Sequence, residues 1–284
     1  NEIMYHPAES RTDHEFIELV NVGTDSVDLE GWRISGGVDF VFPLQTLSAG
    51  EHLVIAADPV AFRELYGGEI DVVGPWTGQL SNSRDRLTLR DLEDRRIDRV
   101  TYADEGDWAV RARGPLDEGS QGWVWSDEHD GGGKSLELRN AAMPNELGQN
   151  WGSSEVVGGS PGAVNSIRED NSAPMIWDRE HSPPIPSSTD TVTITARVID
   201  ESRDGINVTL HWRADGAEAY TETPMVDDGQ NGDRLAGDGV YQAMIPPQAD
   251  MTVVEFYISA TDVSELQRTW PAPTLESGQA TNAL

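Results

Sequence analysis

The 284-residue sequence contains no cysteine. That excludes a disulfide scaffold, thiolate metal sites and a cysteine nucleophile. No apolar run approaches the length needed to span a bilayer. Histidines stand at positions 6, 14, 52, 129, 181 and 211, and none falls into H-E-x-x-H or another ligand spacing. Heptads are absent, and so is any long amphipathic helical pattern. The chain opens Asn1-Glu2-Ile3, with neither an initiator methionine nor a signal peptide. It reads as a piece of a longer polypeptide.

Basic residues are scarce. Twenty Lys and Arg face fifty Asp and Glu, for a formal charge of −30. The excess divides into about −17 over residues 1–167 and about −13 over the rest, so it is no local acidic tail. Such a field repels phosphate backbones and anionic lipid, which argues against nucleic-acid binding and membrane docking. It fits the highly soluble surface of an exported protein.

What is present is alternation. Across Glu15–Phe42, Ile17 and Leu19 fall on one side of an extended segment, with Phe16, Glu18 and Val20 on the other. The polar turn Gly23-Thr24-Asp25-Ser26 follows, then Leu29, Trp32 and Ile34. This is the pattern of antiparallel strands with one buried face. Similar texture marks Phe40–Phe42, His52–Ala56, Leu87–Leu89, Ile97–Tyr102, Trp123–Trp125 and Leu136–Leu138. The odd spacing of Ile97 predicts a bulge. One short helix is predicted, with Asp58 as cap, Pro59 at the first helical position and Gly67 closing the run.

From Gly148 to Ser172 the chain turns small and polar, as at a domain end. Alternation resumes in Val192–Val198, Val208–Trp212, Tyr241–Ile245 and Val254–Ala260. The expected fold class is all-β, with two tandem immunoglobulin-like β-sandwich domains. Their expected bounds are 1–166 and 174–284, the second fibronectin-like in character, with a linker at 167–173.

Several stretches in the first part carry a family likeness. They are NEIMYHP at 1–7, EFIELVN at 15–21, VDLEGWRISGGVDFVFP at 27–43, LSAGEHLVIAADP at 47–59, RLTLRD at 86–91 and GGSPGAVN at 158–165. In order and spacing they resemble a lamin tail domain of the bacterial, exported kind, over nearly all of residues 1–166. The resemblance implies an immunoglobulin-like sandwich serving as a non-catalytic module of a large secreted or surface protein, often beside CotH-type kinase domains or other sandwiches. No catalytic residue comes with it. The coiled-coil rod of nuclear lamins has no counterpart here, and the acidic charge opposes their contact with chromatin. Less specifically, MVDDGQNGDRLAGDGVY at 225–241 and EFYISATD at 255–262 resemble immunoglobulin-like modules that precede cell-surface anchoring regions.

Five motifs bear on chemistry. Gly158-Gly159-Ser160-Pro161-Gly162 fits the G-x-S-x-G pattern of hydrolases, but an oxyanion hole needs the N–H that Pro161 lacks, so a turn is expected. His129, among Asp127, Glu128 and Asp130, reads as part of a solvated loop. Asp104, Glu105 and Asp107 lie beside Trp108, yet one acidic loop does not set carboxylates on either side of a glycosidic bond. Trp76 and Trp108 are candidate sugar or protein contacts, with packing as the competing role; Trp123 and Trp125 share one strand face.

The fifth is the Asp/Gly loop from Asp227 to Gly239. Asp227, Asp228, Asn231, Asp233 and Asp238 are interleaved with glycines that allow tight folding, as a calcium site of six to eight oxygens requires. No closing Glu follows at EF-hand spacing. Asp–Gly turns bonded to their own backbone are the ion-free alternative. The expectation is calcium, because carboxylates held close repel one another unless a cation compensates.

The functional expectation is a non-enzymatic pair of structural, adhesion or interaction modules from a bacterial extracellular or cell-surface protein. Its partners would be neighbouring domains of the same polypeptide, and protein or glycan at the surface. The alternative is a carbohydrate-binding accessory unit of a polysaccharide-active enzyme, which selective glycan binding lost on changing Trp76 or Trp108 would favour.

Overall fold

The computed structural model describes residues 1–118, 120–230 and 233–273. The chain divides into two compact units, Asn1–Asp170 and Asn171–Leu284.

The first unit carries β1 (Glu2–Met4), β2 (Phe16–Val20), β3 (Val27–Asp28), β4 (Arg33–Gly36), β5 (Val38–Val41), β6 (Thr46–Leu47), β7 (His52–Ala56) and β8 (Val72–Val73). Next come β9 (Thr77–Gly78), β10 (Arg84–Arg90), β11 (Arg96–Ala103), β12 (Val110–Asp117), β13 (Ser120–Ser126), β14 (Leu136–Leu138) and β15 (Trp151–Ser153). One sheet runs β15-β14-β1-β2-β7-β8 and a second runs β11-β10-β4-β5-β9. Ile3, Ile17, Leu53 and Ile55 from the first share a core with Ile34, Phe40, Leu87 and Tyr102 from the second. This is a β-sandwich.

Alternation predicts one buried face for β2, but both faces are buried. Phe16 and Glu18 are fully covered on the side opposite Ile17. Phe16 belongs to a second cluster with Met4, Val54, Ala56 and Phe62. The cover is the predicted helix, α1 (Pro59–Tyr66), whose Asp58 cap accepts the Val60 and Ala61 amides at 2.8 and 3.2 Å. That side-chain oxygen satisfies donors the first turn leaves open. Phe62 and Tyr66 then press edge-on to Phe16, with centroids 5.7 and 5.8 Å away.

Ile97 is the predicted bulge. Leu89 faces Asp98 and Arg90 faces Arg96, so Ile97 is skipped by the register. Among the described residues β12 and β13 pair only with each other, and on this ribbon the guanidinium carbons of Arg111 and Arg113 stand 4.6 and 4.3 Å from the Trp123 ring centre. The polar stretch after Gly148 is more structured than its composition suggests: β15 lies inside it and pairs with β14.

The second unit has β16 (Met175–Ser182), β17 (Val192–Ile199), β18 (Asn207–Ala214), β19 (Thr221–Met225), β20 (Val240–Ile245), β21 (Val254–Thr261) and β22 (Gln267–Trp270). Its sheets, β16-β17-β20 and β19-β18-β21-β22, enclose Ile194, Ala196, Val198, Ala243, Val208, Leu210, Ile258 and Ala260. These are residues that the alternation assigns inward. The chain as described is all-β apart from α1 and four short 3-10 turns.

Around the division the backbone is tied on each side. Ile167 donates its amide to Glu137, and Glu169 pairs with Arg139 at 3.0 Å, inside the first unit. Asn171 bonds Asp262 at 2.7 Å and Ser172 bonds Glu201 at 2.7 Å, inside the second.

Candidate functional site

The Asp/Gly loop joins β19 to β20. Gly229 sits at φ +73, and a Cβ there would lie 2.9 Å from the Ala236 amide nitrogen, so the loop closes on itself only with glycine at that position. This closure brings together Asp227, Asp233 and Asp238, each with a carboxylate oxygen within 4.8 Å of the others. Asp233 is buried, and the other two are half-buried.

Backbone amides meet these carboxylates. Asp227 accepts from Gly237, Asp238 and Gly239 at 2.6, 3.3 and 2.8 Å. Asp233 accepts from Gly229 and Leu235 at 2.5 and 3.1 Å, and Asp238 accepts from Val240 at 2.9 Å. The loop is anchored to β17, because Arg197 donates to the Asp238 carbonyl at 3.2 Å and Val198 to that of Gly239 at 2.9 Å. A carboxylate oxygen bonded to one amide retains a lone pair for a cation. The triplet therefore has the donor chemistry that suits calcium, and it also has the self-bonded turns of the ion-free account.

Asp228 is not part of the triplet. It is exposed, and its Oδ1 accepts the Gln230 amide at 3.0 Å. Asn231 lies outside the described residues.

The two candidate tryptophans are placed in packing. Trp76 is 7 % exposed and belongs to the main core of the first unit. Trp108 is half-buried against that core, its ring centre 5.9 Å from that of Trp151. Asp107 accepts Gln149 Nε2 at 2.9 Å, which fastens the acidic loop to the turn preceding β15.

His129 corrects the solvated-loop expectation. It is 1 % exposed, with Nδ1 2.8 Å from the Tyr5 hydroxyl and Nε2 3.0 Å from the Trp108 carbonyl. The Gly131-Gly132-Gly133 turn folds this loop inward, and the Gly131 amide donates to the His6 carbonyl at 3.1 Å. Ser160, in the G-x-S-x-G stretch, donates its hydroxyl to Glu137 Oε1 at 2.6 Å. It is a structural hydrogen-bond donor there.

Sequence reasoning singled out none of the three glutamates Glu2, Glu18 and Glu137, all fully buried on the first sheet. Glu2 stands opposite both of the others in the register. The available signal was Glu18 alternating in phase with Phe16, on the face that Met4 and Phe16 bury.

The fold of the first unit, a two-sheet sandwich with short strands and a helix over one outer face, is of the immunoglobulin-like class. Residues 1–104 match the family described as the lamin tail domain. β14 and β15, beyond that match, complete the same sheet. No curated protein matches the chain. The matched fold typically serves as a non-catalytic structural or interaction module.

Proposed function

We propose that this chain is a pair of structural or interaction modules within a larger bacterial exported or cell-surface protein, where it spaces or presents neighbouring domains and meets protein or glycan at the surface. The observation that carries the reading is the lamin tail domain match over residues 1–104, in a sandwich whose matched aromatic residues are consumed by packing. A formal charge of −30 over the whole chain supports an extracellular role that avoids nucleic acid and membrane.

The two modules fold independently in this reading. Tryptic cleavage at Arg168, whose side chain is 58 % exposed, is expected to release two soluble fragments with cooperative melting transitions. Two unfolded fragments would overturn the modular reading.

Calcium at Asp227, Asp233 and Asp238 forms part of the proposal, motivated by the convergence of their oxygens. The ion would offset repulsion among the carboxylates and stiffen the connection between the two sheets. Millimolar calcium is expected to raise the melting temperature of the second unit in the chelator-treated full chain, and Asp233→Asn to abolish the rise. Absence of both heat and thermal shift in a calcium titration sinks this part. A sugar platform at Trp76 and Trp108 gains no support from their placement in packing.

A further inference from the structure

The three buried glutamates are covered by one segment, residues 158–167. Its donors are aimed at all three. The Ser160 amide donates to Glu2 Oε1 at 3.0 Å, and the Gly162 amide to Glu18 Oε2 at 2.5 Å. Glu137 receives the Ser160 hydroxyl at 2.6 Å, the Ser166 hydroxyl at 2.8 Å and the Ile167 amide at 3.1 Å. Asn165 ties the segment down by donating to the Leu138 and Asn1 carbonyls at 2.8 and 2.9 Å. Gly159 passes so close that a Cβ would lie 1.9 Å from Glu2 Oε1 and 2.4 Å from Ser135 Oγ.

The three carboxyl groups are not equally served. Glu137 has those three donors, and Glu18 also receives Asn1 Nδ2 at 2.6 Å and faces His52 Nδ1 at 2.9 Å. Glu2 has one amide at hydrogen-bond distance, with the Ser135 hydroxyl beside it, while its Oε2 is buried and meets no donor among the described residues. A buried carboxyl group with so few donors is cheaper neutral than charged. Burial raises the Glu2 pKa to about 8, against the Ser135 hydroxyl, and the charges of Glu18 and Glu137 add to the rise. The other groups facing Glu2 are the Tyr66 hydroxyl from α1 and the Asn1 amino group.

We propose that residues 158–167 are a proton-controlled latch, closed over neutral Glu2 and loosened from the sheet when Glu2 ionises. A solvated Glu2 in the opened state has the ordinary glutamate pKa, and the closed state binds the proton more tightly. Closure is therefore most stable below about pH 4.5, weakens as pH rises to about 8, and changes no further above that. Within the window the opening constant rises about tenfold per pH unit.

Hydrogen exchange read by mass spectrometry on the full chain, corrected for intrinsic exchange, tests this from pH 5 to pH 9. Protection of amides in 158–167 is expected to fall by about a hundredfold or more between pH 5 and pH 8 and then level off, while Leu53–Ala56 of β7 stay protected. Glu2→Gln keeps the acceptor for Ser160 and removes the proton, so its profile should be flat. A flat wild-type profile, an unchanged slope in Glu2→Gln, or loss of protection in β7 in parallel with the strap overturns the latch. Should Glu2→Gln not fold, the wild-type comparison of strap with β7 decides alone.

Discussion

Each unit gathers three carboxylates, and the two gatherings are built on opposite principles. In the second unit Asp227, Asp233 and Asp238 come from one loop, partly exposed, each held by nearby amides. In the first, Glu2, Glu18 and Glu137 come from three strands, fully buried, and are held by a strap more than a hundred residues from two of them. A loop triplet relieves its repulsion through water, local amides or an ion. A buried sheet triplet has only its fixed donors and its own protons. The difference teaches that carboxylate count says little, since access to solvent decides whether a cation or a proton settles the charge.

The sharpest way to break the comparison is through two glycines with similar backbones. Gly159 has φ +80 and Gly237 has φ +76, yet a Cβ at Gly159 meets Glu2 and Ser135 while one at Gly237 meets nothing within 4 Å. Gly159→Ala combines left-handed strain with overpacking against a buried carboxyl already fixed by the Ser160 amide. It is expected to cost about 2–5 kcal/mol. Gly237→Ala carries the strain alone, about 1–2 kcal/mol. Urea unfolding of both variants provides the check. Equal losses would mean that the strap yields as readily as the open loop.

These two regions also mark how much the sequence revealed. The Asp loop was legible because its members lie within twelve positions, interleaved with glycine. Among those described, Asp228 alone falls outside the converging triplet, and nothing in the local sequence sets it apart from Asp227. The glutamate triplet was illegible because register, not proximity, assembles it. Glu18 looked like the polar face of a half-buried strand, and the segment that buries it looked like a domain end. Among strands, those with apolar alternation stood out, including β17, β18, β20 and β21. β16, β19 and β22 did not. β16 carries Asp178-Arg179-Glu180, with Asp178 at φ +52 and a register shift at that point. β19 is the edge sequence Thr-Glu-Thr-Pro-Met. Edge strands can be polar and carry proline because one row of their backbone groups goes unpaired. His129 escaped for a related reason: its neighbours are acidic, but the triple glycine after it turns the imidazole toward Tyr5.

The smaller test lies within the loop, between adjacent aspartates. Asp227 accepts three amides from the far end of the loop, ten to twelve residues on. Asp228 is exposed and accepts one, two residues away. Asp227→Ala removes charge-assisted bonds that join the two ends of the loop and leaves partly covered amides without acceptors, a loss of about 2 kcal/mol from the second unit. Asp228→Ala removes one local turn bond that water replaces, a loss of about 0.5 kcal/mol or less. Calorimetry of the full chain with chelator present should separate the variants in that order. Adding calcium sharpens the contrast, because Asp227 offers an oxygen to the triplet and Asp228 does not. Calcium should widen the gap between Asp227→Ala and wild type while moving Asp228→Ala and wild type together. If calcium stabilises all three proteins equally, the triplet is not where it binds, and the amides alone account for the loop.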